Sequence, residues 1–159
     1  MILNVGCGSD FRGDVRLDIH RTEAANIVAD AQFLPFKSRS FDMVFSLSVL
    51  EHISSWSQAL QEMLRVSSEE LLLEVPVNSD LRKTDAFRLL IPTPRNIRLF
   101  LNLPKRARET LWQMDPWILG KFIFAHGFEC IHVKKVFQWY AGMPSRCWRI
   151  RAWRIFFDD

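Results

Sequence analysis

The 159-residue sequence has few cysteines and no long apolar run. Cys7, Cys130 and Cys147 are odd in number and lack metal-ligand spacing, which predicts free thiols in a reducing compartment and excludes a zinc site. No stretch approaches the roughly 20 apolar residues that a membrane span needs. The N-terminus starts on a strand-like run, so we expect no signal peptide and a cytoplasmic location. A G-x-S-x-G motif is also missing, so the sequence does not support a serine nucleophile.

Charge is divided unevenly along the chain. Residues 1–77 carry a net charge of −5 and residues 78–159 carry +8, which together give the net +3. An acidic half suits a cationic ligand and a basic half suits an anionic one, unless both are solvated surface. The length predicts a single domain over residues 1–159. Within it, residues 78–114 are rich in arginine and proline, and we interpret them as a cap-like insertion over the site.

Seven short apolar runs predict the strands of an α/β fold. They lie at residues 2–5, 14–19, 26–29, 41–46, 71–77, 129–140 and 147–157. Residues 54–66 have a helical rhythm, with Trp56, Leu60, Met63 and Leu64 on one face. A second helix is predicted over residues 115–128, with Pro116 in its first turn. The pattern predicts a Rossmann-like, open, mostly parallel seven-stranded sheet with a C-terminal antiparallel hairpin.

The opening stretch MILNVGCGSDFRGDVRLDIH contains a glycine loop at the end of the first predicted strand. Ligands of open α/β sheets bind beyond the carboxyl ends of the strands. Gly6 and Gly8 lie there, where the lack of a side chain lets a ligand approach the backbone. Asp18 ends the second strand, where its carboxylate can accept hydrogen bonds from a ribose diol. Asp30 ends the third strand, where it can accept from an adenine amine, so these positions predict an adenine nucleoside.

The spacing does not fit a dinucleotide. Phe11 stands where G-x-G-x-x-G would have its third glycine, and Asp18 comes at half the roughly 20 residues that the motif requires. The nine residues from Gly6 to Asp14 are too few for a helical crossover. The helix N-terminus that would bind a pyrophosphate is therefore missing. An adenosine without a diphosphate remains, and S-adenosylmethionine fits that description.

Residues 2–77 resemble the class I S-adenosylmethionine-dependent methyltransferases, in particular their small ubiquinone/menaquinone-biosynthesis-like (type 11) branch. LNVGCGS resembles the first motif, LDIH the ribose-binding strand end and ADAQFLPF the adenine-contacting segment. SFDMVFSLSVLEHI resembles the fourth strand with the following helix start, and LLLEVP resembles the fifth strand. Farther along, DPWILGKFIFAHGFECI resembles the late helix. Each motif is weak alone, but their order and spacing together are specific.

The resemblance implies a set of residues around the cofactor. They are Gly6, Cys7, Gly8, Asp18, Ile19, Asp30 and Ala31, with Ser46 and Leu47 near the methionine end. For the two glycines and Asp18 the alternative is a tight turn with a capping carboxylate, and for Asp30 it is an Asx turn. Only the backbone of Cys7 is implied. No catalytic residue is identified; His52 in LEHI could face the acceptor or bond to backbone.

The sequence also departs from the family pattern. Asn4 replaces the acidic residue of the first motif, SDFRGD replaces a loop and helix, and SSEE replaces the turn before the fifth strand. With no helix before the first strand, we expect reduced helix cover near strands one to three. Apolar residues would then remain uncovered, which predicts a homodimer or the cap over that face. The residues concerned are Ile2, Val5, Val15, Leu17, Ile27 and Val28.

The predicted function is methyl transfer from S-adenosylmethionine to a small-molecule or lipid-linked acceptor. The basic half, with its WRIRAWR stretch, keeps an RNA methyltransferase open as an alternative. A cofactor-binding partner subunit without catalytic activity is the other alternative. We expect no metal.

Overall fold

The computed structural model describes residues 1–77, 114–140 and 143–156, without the side chains of 138–140 and 143–145. The predicted cap over residues 78–114 lies outside them, apart from Met114. Seven strands are present, as predicted. They are β1 (Ile2–Val5), β2 (Val15–Asp18), β3 (Ile27–Val28), β4 (Phe41–Leu47), β5 (Ser67–Pro76), β6 (Phe128–Tyr140) and β7 (Met143–Arg154). The α-helices within the described residues are α1 (Trp56–Val66) and α2 (Pro116–Ala125), and a 3-10 helix spans Leu50–His52.

The strands form one sheet in the order β3-β2-β1-β4-β5-β7-β6. The first five strands are parallel to one another, and β7 is antiparallel to both of its neighbours, β5 and β6. This confirms the predicted Rossmann-like sheet with its C-terminal hairpin. The carboxyl ends of β1, β2, β3 and β4 consequently lie at one edge, which we call the carboxyl edge.

Both described helices cover the same face of the sheet. Helix α1 packs against β4 and β5, and α2 packs against β6 and β7. The rings of Trp56 on α1 and Phe122 on α2 meet with their centroids 5.6 Å apart. Leu60, Met63 and Leu64 are buried in the core, which confirms the predicted face of α1. Asp115 caps α2 by accepting a hydrogen bond from the Trp117 amide, at 2.6 Å.

The opposite face of the sheet, which we call the polar face, mixes polar and apolar side chains. Asn4, Phe45 and Leu72 lie opposite one another in register, and the series continues to Arg151. Ion pairs join β5 to β7 on this face: Glu74 with Arg149, and Glu70 with Arg151. Charged side chains that pair across strands do not need an apolar layer above them, and none of the helices in the described residues covers this face.

The apolar residues expected on both faces near β1 to β3 lie mostly on the helix-covered face. Six residues carried that expectation, and four of them belong to the helix-covered core or pack against it: Val5, Val15, Leu17 and Ile27. Only Ile2 and Val28 are exposed. Two exposed apolar side chains give little surface for a partner to cover, and the homodimer stays a prediction.

Residues 6–14 cover much of the polar face at β1. The Arg12 guanidinium lies 5.7 Å from the centre of the Phe45 ring, and the Asn4 side-chain amide donates to the Arg12 carbonyl at 3.2 Å. A Cβ on Gly13 would lie 3.3 Å from the Asn4 Cβ, so the loop backbone rests directly on that side chain. Asn4 and Phe45 are buried as a result. The short loop takes the place of the missing helix.

Candidate functional site at the carboxyl edge

The glycine loop is fixed to the end of β2 by backbone hydrogen bonds. The amides of Gly6 and Cys7 both donate to the Leu17 carbonyl, at 2.7 and 3.0 Å. Gly6 has φ +74°, and a Cβ there would lie 2.4 Å from a methyl carbon of Val49. Gly8 has φ +53° and nothing within 4 Å of its would-be Cβ. Gly6 is therefore required by packing, whereas Gly8 borders open space in which a ligand can approach the backbone.

Asp18 joins the glycine loop to the residues that follow β2. One carboxylate oxygen accepts from the Gly8 amide at 2.8 Å, and the other accepts from the His20 amide at 2.9 Å. Each oxygen keeps a lone pair, so the carboxylate can still accept from a ligand. The next side chain, Ile19, is exposed and offers an apolar surface beside it. The structure thus brings Gly6, Gly8 and Asp18 together.

Asp30 forms the Asx turn that was its alternative interpretation. Its Oδ1 accepts from the Gln32 amide at 2.9 Å, and the Gln32 side-chain amide reaches Oδ2 at 3.0 Å. Ala31 is buried in the core. Asp30 is only partly buried, so its carboxylate can combine this turn with a ligand contact.

The end of β4 carries two predicted site residues and one that the sequence did not reveal. The Ser46 hydroxyl is buried and donates to the Val5 carbonyl at 3.0 Å, so it ties β4 to β1. Leu47 is partly buried. Ser48, which was missed, has φ +55°, a conformation that is rare outside glycine and is concentrated at functional sites. Its amide donates to the Glu74 carbonyl at 2.8 Å.

Glu51 is a second residue that sequence reasoning missed. It is only 2% exposed, and burial raises the pKa of its carboxyl from 4.5 to about 8. Its Oε1 lies 3.8 Å from Nε2 of His52, and its Oε2 has no hydrogen-bond partner among the described residues. The LEH sequence gives no local signal for this, because a glutamate is usually exposed.

The cysteines behave as small buried residues. Cys7 and Cys147 are buried, and burial raises the pKa of both thiols, so they stay protonated at neutral pH. Within residues 1–77, 114–140 and 143–156, no group of His, Cys, Asp or Glu could hold a metal ion. None of the helices in these ranges is long and apolar enough to cross a membrane.

A comparison with protein families decides the assignment of this segment. Residues 12–70 match the family model described as a methyltransferase domain. The match begins just after the glycine loop and ends within β5, so it covers β2, β3, β4 and α1. The family predicted from the sequence motifs is confirmed.

A curated relative and several solved structures are similar to this chain. An uncharacterised protein of Methanocaldococcus jannaschii is 32% identical in an alignment of 95 positions that covers 50% of this chain and 42% of that relative. The chain therefore matches less than half the length of this curated relative. The YcgJ protein of Bacillus subtilis has 14% identity and a TM-score of 0.65, over 96% of this chain and 91% of that one. An S-adenosylmethionine-dependent methyltransferase of Methanosarcina mazei has 16% identity and a TM-score of 0.65, over 98% and 92%. These structures share the methyltransferase-domain fold with this chain.

Proposed function

We propose that this chain binds S-adenosylmethionine at the carboxyl edge and transfers its methyl group to a small-molecule or lipid-linked acceptor. The observation that carries the proposal is the contact between Gly8 and Asp18. The Asp18 carboxylate accepts from the Gly8 amide at 2.8 Å, beside open space at Gly8. Asp18 can bind a ribose diol, and the open space at Gly8 can hold the rest of the ligand against the backbone. Both features fit a nucleoside without phosphate groups. The methyltransferase-domain match supports the same ligand.

The residues present fit the cofactor in the following roles. Asp18 would accept from the ribose hydroxyls, and exposed Ile19 would cover one face of the adenine. The backbone around Asp30 and Ala31 would meet the adenine edge. The loop Gly6–Cys7–Gly8 would lie along the methionine part, with Leu47 near its end; the Ser46 hydroxyl would not take part, because it is bound to Val5.

Bound S-adenosylmethionine supplies a methyl group that its sulfonium has already activated. The chain must then chiefly hold the acceptor close and in line. A general base is needed only where the acceptor must lose a proton. Our proposal therefore assigns no catalytic base, and its site consists of binding and orienting residues.

One observation bears on the RNA alternative. The arginines of WRIRAWR could suggest a platform for nucleic acid, but Arg149 is paired with Glu74 and Arg151 with Glu70. Those two guanidinium groups join neighbouring strands, and their charge is balanced by the paired carboxylates. This supports the smaller acceptor. The cytoplasmic location stays a prediction.

Isothermal titration calorimetry with S-adenosylhomocysteine, the product form of the cofactor, tests the proposal. We expect binding and a higher melting temperature, because a ligand that binds only the native state stabilises it. NADH, which carries a diphosphate, should produce neither effect. The cofactor assignment would be contradicted if NADH gave a heat of binding and S-adenosylhomocysteine did not. It would also be contradicted if S-adenosylhomocysteine gave no heat of binding at millimolar concentration. A labelled-methyl screen over metabolite and lipid extracts then identifies the acceptor class, and no transfer from a tightly bound cofactor would indicate the inactive partner subunit.

A further inference from the structure

The outer part of the sheet carries a basic and apolar surface that the proposed cofactor site does not use. We call residues 131–140 of β6 and their partners 143–150 of β7 the outer ribbon. Strand β6 is the last strand of the sheet. No acidic residue occurs between Glu129 and Asp158, so the ribbon carries only positive charge.

The position of the outer ribbon relates it to the site. The pairing of β5 with β7 ends at Pro76 and Cys147, whereas the pairing of β6 with β7 continues for four more residue pairs. At about 3.3 Å per residue, the ribbon extends roughly 13 Å beyond the end of β5. Because β5 is parallel to β4, this extension lies past the carboxyl edge, where the cofactor is proposed to bind.

The exposed side chains of the ribbon are of two kinds. Ile131 is 49% exposed, Val133 46% and Phe137 74%. Lys134, Lys135 and Arg146 are also exposed, and they form no ion pair with any residue that the structure describes. Because side chains alternate along a strand, Lys135 and Arg146 share one face with Val133 and Phe137, and Lys134 lies on the other face. Cations and apolar groups even touch within the ribbon, since the Arg146 guanidinium lies 5.3 Å from the centre of the Phe137 ring.

This combination fits a lipid surface better than a nucleic acid. Aliphatic side chains such as Ile131 and Val133 give nothing to a nucleic acid, which binds proteins through phosphates and stacked bases. At a membrane, apolar side chains enter the boundary of the acyl chains while lysine and arginine meet anionic headgroups. We propose that the outer ribbon docks the protein on an anionic lipid surface, with the carboxyl edge facing it. The inference goes beyond the proposed function, because docking needs no cofactor.

Co-sedimentation with vesicles tests the proposal. The full chain is mixed with equimolar phosphatidylcholine and phosphatidylglycerol, or with phosphatidylcholine alone. We expect binding to the anionic vesicles that weakens as salt is added. The double variant Lys135→Gln/Arg146→Gln should bind on the order of thirtyfold more weakly, since each cation near the surface contributes about fivefold. Phe137→Ser should weaken binding by about tenfold or more, through lost burial of its ring.

Lys37→Gln is the matched control, because Lys37 is exposed and precedes β4, at the opposite edge of the sheet. Its vesicle binding should be unchanged, and all variants should keep the affinity of the parent chain for S-adenosylhomocysteine. Equal binding to both vesicle types, or equal loss in Lys37→Gln, would overturn the proposal. So would ribbon-dependent binding of a single-stranded oligouridylate without binding to vesicles. Charged side chains near a sheet edge also prevent edge-to-edge pairing. If the double variant self-associates in light scattering yet binds vesicles normally, the two cations serve that purpose instead.

Discussion

Glu51 gives the chain a pH dependence that one substitution can isolate. Its carboxyl is buried, one oxygen lacks a partner among the described residues, and burial raises its pKa from 4.5 to about 8. The folded state therefore holds this proton more tightly than the unfolded state does. The stability from Glu51 is complete below the unfolded pKa and is lost as the pH rises toward 8. A shift of this size corresponds to at most about 5 kcal/mol.

Glu51→Gln keeps the size of the side chain and cannot ionise. Its altered hydrogen bonding shifts the free energy of unfolding by the same amount at every pH. Because the amide cannot ionise, the variant does not lose stability at high pH as the parent chain does. We expect its free energy of unfolding, relative to the parent chain, to rise by several kcal/mol between about pH 5 and about pH 8. Urea unfolding at a series of pH values, with equal m-values required, measures this difference.

Glu62→Gln is the control for this experiment. Hydrogen bonds from Arg65 lower the pKa of Glu62, so its contribution is present above the unfolded pKa and is lost only as the pH falls through the lowered value. The difference between Glu62→Gln and the parent chain should thus stay flat over the same range. If the Glu51→Gln difference is also flat, Glu51 titrates like an ordinary exposed glutamate and the reasoning from its burial is wrong.

Three further predictions concern the carboxyl edge and assembly. Asp18→Ala should weaken S-adenosylhomocysteine binding by roughly tenfold or more in calorimetry, because a charged acceptor is lost. It should also lower the free energy of unfolding by about 1–3 kcal/mol, because the Gly8 and His20 amides lose their acceptor. Gly6→Ala should destabilise the fold in urea unfolding, and adding Val49→Ala should restore part of the loss by removing the 2.4 Å clash but not the strain of a positive φ. Light scattering at micromolar concentration checks the predicted homodimer, and a monomer would contradict it.

The sequence predicted the elements whose signals are local. The glycine loop, the strand ends at Asp18 and the apolar face of α1 follow from short-range patterns, and the structure has all three. Strand β5 shows the limit of prediction from local patterns. Its prediction began at residue 71, but the strand begins at Ser67, because the polar residues SSEE pair with β4 and β7. Glu70 meets Arg151 across 81 positions, which no local window contains.

The site divides in the same way. Gly6, Gly8 and Asp18 could be found because ligand-binding loops need particular residue types at fixed spacing. Ser48 and Glu51 could not, since their distinguishing properties are a backbone angle and burial. Both residues lie against β5, and the residue types alone predict an ordinary exposed turn.

Two departures from the family pattern, Asn4 and the shortened loop SDFRGD, depend on each other. The family has an acidic residue where this chain has Asn4, and it has a helix where this chain has SDFRGD. In the structure the shortened loop folds back onto β1, and the Asn4 amide donates to the Arg12 carbonyl. An ionised carboxylate has no proton to donate, and burying it beneath a carbonyl would bring two acceptors together without a hydrogen between them. The loop can therefore replace the helix as cover only with a donor at position 4, and the asparagine supplies that donor.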